Sequence, residues 1–77
     1  MTEKLKQIMS NIFEINEDEV TDESSIDNVE NWDSLRHLDL ILSIEETFNV
    51  SVSEEEMVEM ISFADIKHIL RDKGIKI

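Results

Sequence analysis

The sequence predicts an all-α fold, a four-helix bundle of three main helices and one short helix with a long first loop. The 77-residue chain contains no proline and one glycine, so it has few of the residues that interrupt helices. Apolar residues recur at helical spacing in the first fifteen positions and again from position 34 onwards. We expect a single domain over residues 1–77, because so short a chain cannot bury a second core.

The N-terminal part of the chain is predicted to form one helix and one long loop. The helix starts with Thr2, a suitable N-cap residue, and ends near Ile15. Its apolar residues follow the i, i+3, i+4, i+7, i+8 pattern of one helix face and are Leu5, Ile8, Met9, Ile12 and Phe13. Residues 16–32 have no period, and a loop of this length in a small domain is either functional or disordered. We expect an ordered loop anchored to the core by Val20, Ile26, Val29 and Trp32.

The second helix is predicted over residues 34–48, with Asp33 as its N-cap. Its apolar residues cover more than one stripe, so we expect this helix to pack between neighbours. They are Leu35, Leu38, Leu40, Ile41, Leu42, Ile44 and Phe48.

Two helices are predicted in the C-terminal part. Ser53 and Glu56 have the spacing of a capping box and open a short helix that runs through Ile61. Ser62 begins the last helix in the same way, and the pair Lys73-Gly74 ends it.

The charge is strongly acidic and unevenly distributed. Nineteen acids against seven bases give a net charge of −12, and sixteen of those acids lie in residues 14–59 with Arg36 as the only base. Such a segment repels nucleic acid and anionic membranes. It attracts basic protein partners through electrostatic steering that weakens with salt. The alternative is a surface that only keeps the protein soluble.

Several kinds of site and location are disfavoured by what the sequence lacks. There is no cysteine, so disulfides and thiolate metal sites are excluded. An EF-hand needs a central glycine, and no glycine precedes Gly74, so we expect no metal site. The longest wholly apolar run has three residues, and no signal peptide is evident, so we expect a cytoplasmic protein without a membrane span.

Ser34 is the residue whose chemistry needs an explanation. Serine is common in the first turn of a helix, and this is its plainest interpretation. A catalytic set of Ser34, His37 and Asp39 is excluded by geometry, because His37 and Asp39 lie about 160° apart around a helix. A phosphate ester does fit, since the first turn offers free backbone N–H groups and the positive end of the helix dipole.

The residues from Asp33 onwards resemble the acyl carrier protein family. The resemblance rests on "DSL" at 33–35, on the "LxLILSIEETF" pattern at 38–48 and on "NVSVSEEEMVEMISFADIKHIL" at 49–70, and it extends to the length, the acidity and the long first loop. It implies that Ser34 is esterified with 4'-phosphopantetheine from coenzyme A by a holo-carrier-protein synthase, a phosphopantetheinyl transferase. The thiol of that arm carries acyl groups as thioesters, and the protein itself has no catalytic residue.

The resemblance also implies two groups of residues with roles in this function. The first docks onto basic patches of enzymes that load and transfer acyl groups, and comprises Asp33, Leu35, Arg36, Asp39, Glu45, Glu46, Glu54, Glu55 and Glu56. The second lines an acyl pocket and comprises Ile44, Val52, Met57, Met60, Ile66 and Ile69. A solvated face and an ordinary core are the respective alternatives.

Departures from the family pattern bear on the pathway. Arg36 stands where many fatty-acid carriers have an acid. A tryptophan directly before Asp-Ser, here Trp32, resembles the pattern of discrete carriers in specialised pathways. We therefore favour a specialised acyl, polyketide or lipid pathway over central fatty acid biosynthesis, with the protein acting as a monomer. Two other functions stay open. One is an aminoacyl or peptidyl carrier, although the Gly-Gly typical of that class is missing before the serine; the other is an acidic helical interaction module without a prosthetic group.

Overall fold

The computed structural model describes residues 2–77 and contains four α-helices, which confirms the predicted all-α fold. α1 spans Thr2–Phe13, α2 spans Ser34–Phe48, α3 spans Glu54–Glu59 and α4 spans Phe63–Asp72. A single 3₁₀ turn, Glu17–Glu19, lies in the loop between α1 and α2. Over these 76 positions no helix is both long and apolar enough to cross a lipid bilayer.

The starts of α2, α3 and α4 use the caps that the sequence predicts. The side chains of Asp33, Ser53 and Ser62 each accept a hydrogen bond from the amide three residues later, at 2.9, 3.1 and 3.0 Å. Glu56 completes the capping box of α3 by accepting from the Ser53 amide. These acceptors satisfy N–H groups that a helix start leaves unpaired. Thr2 lies inside α1 rather than capping it, so that prediction is wrong.

Three helix ends are closed by a residue in the left-handed region, namely Glu14 (φ 57°), Asn49 (φ 55°) and Gly74 (φ 92°). In each case the amide of the next residue donates to the carbonyl five positions before it, at 3.0–3.2 Å. This motif satisfies terminal carbonyls and directs the chain away from the helix axis. α1 ends at Phe13, before the predicted Ile15, because Glu14 leaves the helical region.

The hydrophobic core lies between α1, α2 and α4. Its buried residues are Leu5, Met9, Phe13, Val20, Trp32, Leu40, Ile41, Ile44, Phe48, Met60, Phe63, Ile66, Ile69 and Leu70. α3 contributes no buried side chain, and its Met57 is only partly buried against the core. Packing therefore fixes the three longer helices much more firmly than it fixes α3.

The first loop is ordered and packs against the core, as predicted. Val20 and Trp32 are buried, and Val29 packs against the buried cluster. Ile26 is 37% exposed, so the prediction that its side chain anchors the loop is wrong.

Backbone hydrogen bonds pair the same loop with the α3–α4 connection. The Ile26 amide donates to the Ile61 carbonyl at 3.0 Å, and the Phe63 amide donates to the Ser24 carbonyl at 2.9 Å. These two bonds form an isolated antiparallel bridge. Since Ile61 takes part in this pairing, α3 ends at Glu59 and does not reach Ile61 as predicted.

An ion pair fixes the outer edge of the loop to α4. The carboxylate of Asp22 pairs with the ammonium of Lys67, whose Nζ lies 4.8 Å from the centre of the Phe63 ring. The hydrogen bond from Lys67, and then its charge, lower the pKa of Asp22. Because Asp22 is exposed, we expect this pair to orient the loop while adding little to the free energy of unfolding.

Candidate functional site

Ser34 is exposed and is the first residue of α2. The N-cap before it is well formed, because the side chain of Asp33 accepts from the Arg36 amide and its carbonyl accepts from the His37 amide. Within residues 2–77 no acceptor lies on the amides of Ser34 and Leu35. A solvent-exposed hydroxyl thus stands at the positive end of the α2 dipole, an environment that favours a bound phosphate.

The first turn of α2 is tied to the end of α1. Arg36 Nη1 donates to the Ile12 carbonyl at 2.7 Å and lies 3.7 Å from the Glu14 carboxylate. Asn31 Nδ2 donates to the Phe13 carbonyl, also at 2.7 Å. These donors satisfy carbonyls that the last turn of α1 leaves unpaired, and the guanidinium suits the negative end of that helix. Arg36, predicted to contact partners, therefore also has an internal structural role.

The following residue, His37, is tied to α3. The Trp32 indole N–H donates to His37 Nδ1 at 3.0 Å, and His37 Nε2 lies 2.8 Å from the Met57 carbonyl oxygen. An indole nitrogen can only donate, so Nδ1 must be the unprotonated nitrogen, and Nε2–H donates to Met57. Both ring nitrogens are thus engaged away from Ser34, in agreement with the exclusion of a catalytic triad.

Most of the predicted docking acids are free to meet a partner. The side chains of five predicted docking residues are exposed and make no hydrogen bond in the part of the chain that the structure describes; they are Leu35, Asp39, Glu46, Glu54 and Glu55. Asp33 is exposed as well, although one carboxylate oxygen caps α2. Asp33 is the N-cap of α2, the next three residues of this set lie on α2, and Glu54 and Glu55 open α3.

Two of the predicted docking acids have structural roles. Glu45 Oε2 accepts from the Val52 amide at 2.9 Å and so orders the α2–α3 connection. Glu56 pairs with Lys73 Nζ at 2.8 Å, and the hydrogen bond from Lys73 is the main cause that lowers the pKa of Glu56. Because Glu45 and Glu56 are partly buried and Glu46 is exposed, the first two carboxylates are less accessible to a partner than that of Glu46.

The sequence reasoning missed an exposed apolar stripe on α2. Leu35, Leu38 and Leu42 are 72%, 47% and 54% exposed. Leu35 is already among the predicted docking residues, but the prediction that the apolar residues of α2 pack against neighbours is wrong for Leu38 and Leu42. Their i, i+3, i+7 spacing places them on one face, about 140° from the buried stripe of the same helix. That angular separation is readable from the sequence and was the available signal. Exposed apolar patches of this kind mark interaction surfaces.

The six predicted acyl-pocket residues belong to a closed core. Ile44, Met60, Ile66 and Ile69 are buried, while Val52 and Met57 are partly buried against them. Two surface cavities, of about 270 and 440 Å³, lie along the first loop and between that loop and the α1–α4 surface. None of the six residues lines either cavity. The six side chains are thus part of the packed core and line no open acyl pocket among the two cavities.

We expect Arg36→Ala to lower the free energy of unfolding by about 1 kcal/mol, because it removes a charged donor from the Ile12 carbonyl. Lys76→Ala is the matched control, since it removes the same charge from an exposed position and should change stability little. Urea denaturation followed by circular dichroism measures both. Equal midpoints for Arg36→Ala and the parent protein would show that the cap contributes nothing.

Comparison with known proteins agrees with this geometry. Residues 3–76 match the family model described as the phosphopantetheine attachment site. An acyl carrier protein of Coprothermobacter proteolyticus is 34% identical over 88% of this chain and 83% of its own length. Polyketide-8 synthase acyl carrier protein 1 of Streptomyces avermitilis is 31% identical over 83% of this chain and 76% of its own length, and an acyl carrier protein of Petrotoga mobilis is 31% identical over 92% and 84%. The chain belongs to the acyl carrier protein family.

Proposed function

We propose that the hydroxyl of Ser34 is the attachment point of 4'-phosphopantetheine, and that the protein carries acyl intermediates in a specialised acyl, polyketide or lipid pathway or in fatty acid biosynthesis. The main support is the exposed position of Ser34 at the start of α2, within the tripeptide Asp33-Ser34-Leu35. Family membership makes the chain a carrier with a covalent 4'-phosphopantetheine group, and not a catalyst. The resemblance to a polyketide synthase carrier supports the specialised pathway.

The chain's own residues fit a phosphodiester at this position. The amides of Ser34 and Leu35 are open to a phosphate oxygen, and the α2 dipole stabilises negative charge there. Asp33 uses a carboxylate oxygen for the N-cap, which keeps the first turn helical. When bound, the group supplies a thiol, which a chain without cysteine lacks.

A phosphopantetheinyl transferase and acyl-handling enzymes are the partners that family membership implies. In the attachment step, the Ser34 oxygen forms a bond to the phosphorus that bears the pantetheine in coenzyme A. The bond from that phosphorus to the leaving adenosine 3',5'-bisphosphate breaks, and the transferase takes up the serine proton. Ser34 is then an anchor, and tethering raises the local concentration of the acyl group at a docked enzyme.

The docking surface that we propose combines the apolar stripe of α2 with acids beside it. Leu35, Leu38 and Leu42 are exposed, and Asp39 and Glu46 lie next to them on the same helix. Partly apolar surfaces with a polar rim are typical of protein interfaces, and the acids would steer basic patches of partners. The net charge of −12 also disfavours self-association, which supports a monomer.

Attachment is tested by intact mass spectrometry of the unmodified protein after incubation with coenzyme A and a broad-specificity phosphopantetheinyl transferase. We expect the parent protein to gain the mass of one phosphopantetheinyl group and Ser34→Ala to gain none. Ser43→Ala, a change to a partly buried serine later in α2, should gain the full mass. A gain by Ser34→Ala would place the attachment elsewhere, and no gain by the parent protein would refute the proposal.

Loading of the modified protein distinguishes the two carrier classes. Acyl-loading enzymes should form a thioester, whereas adenylation enzymes supplied with amino acids should leave the mass unchanged. The reverse pattern would assign the chain to the aminoacyl or peptidyl carriers.

The docking surface is tested by charge reversal. We expect Glu46→Lys to lower kcat/KM of the transferase by roughly three- to tenfold at low salt, mainly through slower association. The deficit should shrink as salt screens the interaction. Asp72→Lys makes the same charge change at an exposed position on α4 and should have a much smaller effect. Equal kinetics for the two variants would remove Glu46 from the docking surface.

A further inference from the structure

α3 is the helix with the weakest attachment to the rest of the protein. It has six residues, none of them buried, and a helix of this length is unstable in isolation. The contacts that hold it in place include the Glu56–Lys73 ion pair and, two residues beyond its last residue, the Ile26–Ile61 backbone bond. The hydrogen bond from His37 Nε2 to the Met57 carbonyl joins α3 directly to α2.

Trp32 determines which form of His37 can make that bond. The indole is 3% exposed and stacks on Phe13, with ring centroids 4.8 Å apart, so its N–H group is held in a fixed position next to His37 Nδ1. If Nδ1 carried a hydrogen, two donors, the Trp32 indole N–H and the His37 Nδ1–H, would point at each other with no acceptor between them. The neutral ring with its hydrogen on Nε2 is therefore the form that keeps both hydrogen bonds, and in this form Nε2 donates to Met57.

The His37–Met57 bond contacts α3 at its C-terminal turn. Met57 is in the last turn of this short helix, where carbonyls lack intrahelical donors. Among residues 2–77, its oxygen otherwise receives only a long bond of 3.3 Å from the Met60 amide. Met57, which packs against the core, and Met60, the buried C-cap residue of α3, are also the residues that join this end of α3 to the core. Loss of the His37 bond would therefore weaken the helix end and its attachment to α2 together.

We propose that Trp32, His37 and the Met57 carbonyl form a latch that holds α3 against α2. His37 is the positioning residue, and Trp32 fixes its tautomer. The use of the latch rests on the proposed carrier function: while it is closed, the core stays closed to an attached acyl chain, and the strength of the latch sets how readily such a chain enters beside Met57. The two hydrogen bonds of the latch are present in the protein without an attached group.

Two conservative variants of His37 separate its two hydrogen bonds. The side-chain amide nitrogen of glutamine reaches roughly the position of Nε2, so His37→Gln can still donate to Met57. The shorter asparagine places its oxygen near the position of Nδ1, so His37→Asn can accept from Trp32 but does not reach Met57. If the latch depends on the Met57 bond, only the asparagine variant should release α3.

Amide hydrogen exchange of the unmodified protein, followed by NMR, measures this release. We expect the Met57 and Met60 amides to exchange roughly three- to tenfold faster in His37→Asn, the effect of one lost hydrogen bond, and at nearly the parent rate in His37→Gln. The Met9 amide in α1, in the buried core, exchanges through global unfolding. It should be faster in His37→Asn by no more than the same factor, because the lost bond lowers the stability of the native state against every opening. Exchange at Met57 and Met60 that is no faster in His37→Asn than in the parent protein, or that is equally accelerated in His37→Gln, would refute the latch.

The role of Trp32 has its own spectroscopic readout. The ¹⁵N shifts of the His37 ring should show hydrogen on Nε2 in the parent protein. The Nδ1 shift should move in Trp32→Phe, which keeps an aromatic ring but no donor, because Nδ1 then loses its hydrogen bond. A parent ring with hydrogen on Nδ1, or an unchanged Nδ1 shift in Trp32→Phe, would contradict the assignment. All variants retain Ser34, so the mass gain with coenzyme A tests the carrier proposal separately. A failed mass gain with faster α3 exchange in His37→Asn would leave the latch intact, and the opposite result would leave the carrier proposal intact.

Discussion

The arrangement around Ser34 depends on carbonyl groups at the ends of α1 and α3 that have too few donors of their own. Such groups are costly to leave unpaired, by about 1–3 kcal/mol each when buried. The chain around the start of α2 supplies the missing donors, with Arg36 reaching Ile12 and His37 reaching Met57. Two consecutive side chains thus fix the first turn of α2 between two other helices, and Ser34, which precedes them, is left exposed on a rigid base.

Different faces of α2 make different kinds of contact. Leu40, Ile41 and Ile44 face the core, and Arg36 and His37 contact α1 and α3 on either side. The remaining face bears exposed leucines with acids next to them. An attachment site with this construction needs no catalytic group, because partner enzymes bring the chemistry and the carrier contributes a fixed anchor and a surface to recognise. This division explains why a chain without cysteine can serve thioester chemistry.

The features that the sequence predicted correctly depend on residues close to one another in the chain. Asp33, Ser53 and Ser62 signalled helix starts because an N-cap bond spans three positions, and the family resemblance pointed to Ser34. The end of α1 at Glu14 was not evident, since this residue is not the glycine that usually marks a left-handed position, whereas the end of α2 at Phe48 was predicted. The partners of Arg36 and His37 lie 24 and 20 positions away, so no local pattern could have identified them. The exposure of Leu38 and Leu42 could have been predicted from their angular positions around the helix, whereas their apolar character alone predicts burial.

Backbone ¹⁵N relaxation at residues 33–38 of the unmodified protein tests the rigid mounting of Ser34 most directly. If Arg36 and His37 fix the first turn of α2, the order parameters of these amides should equal that of Met9 in the middle of α1, near the value of about 0.85 typical of rigid backbone. Values below about 0.6 at Ser34 and Leu35, with α1 rigid in the same sample, would contradict the account. The serine would then sit on a flexible segment that the side chains of Arg36 and His37 do not hold.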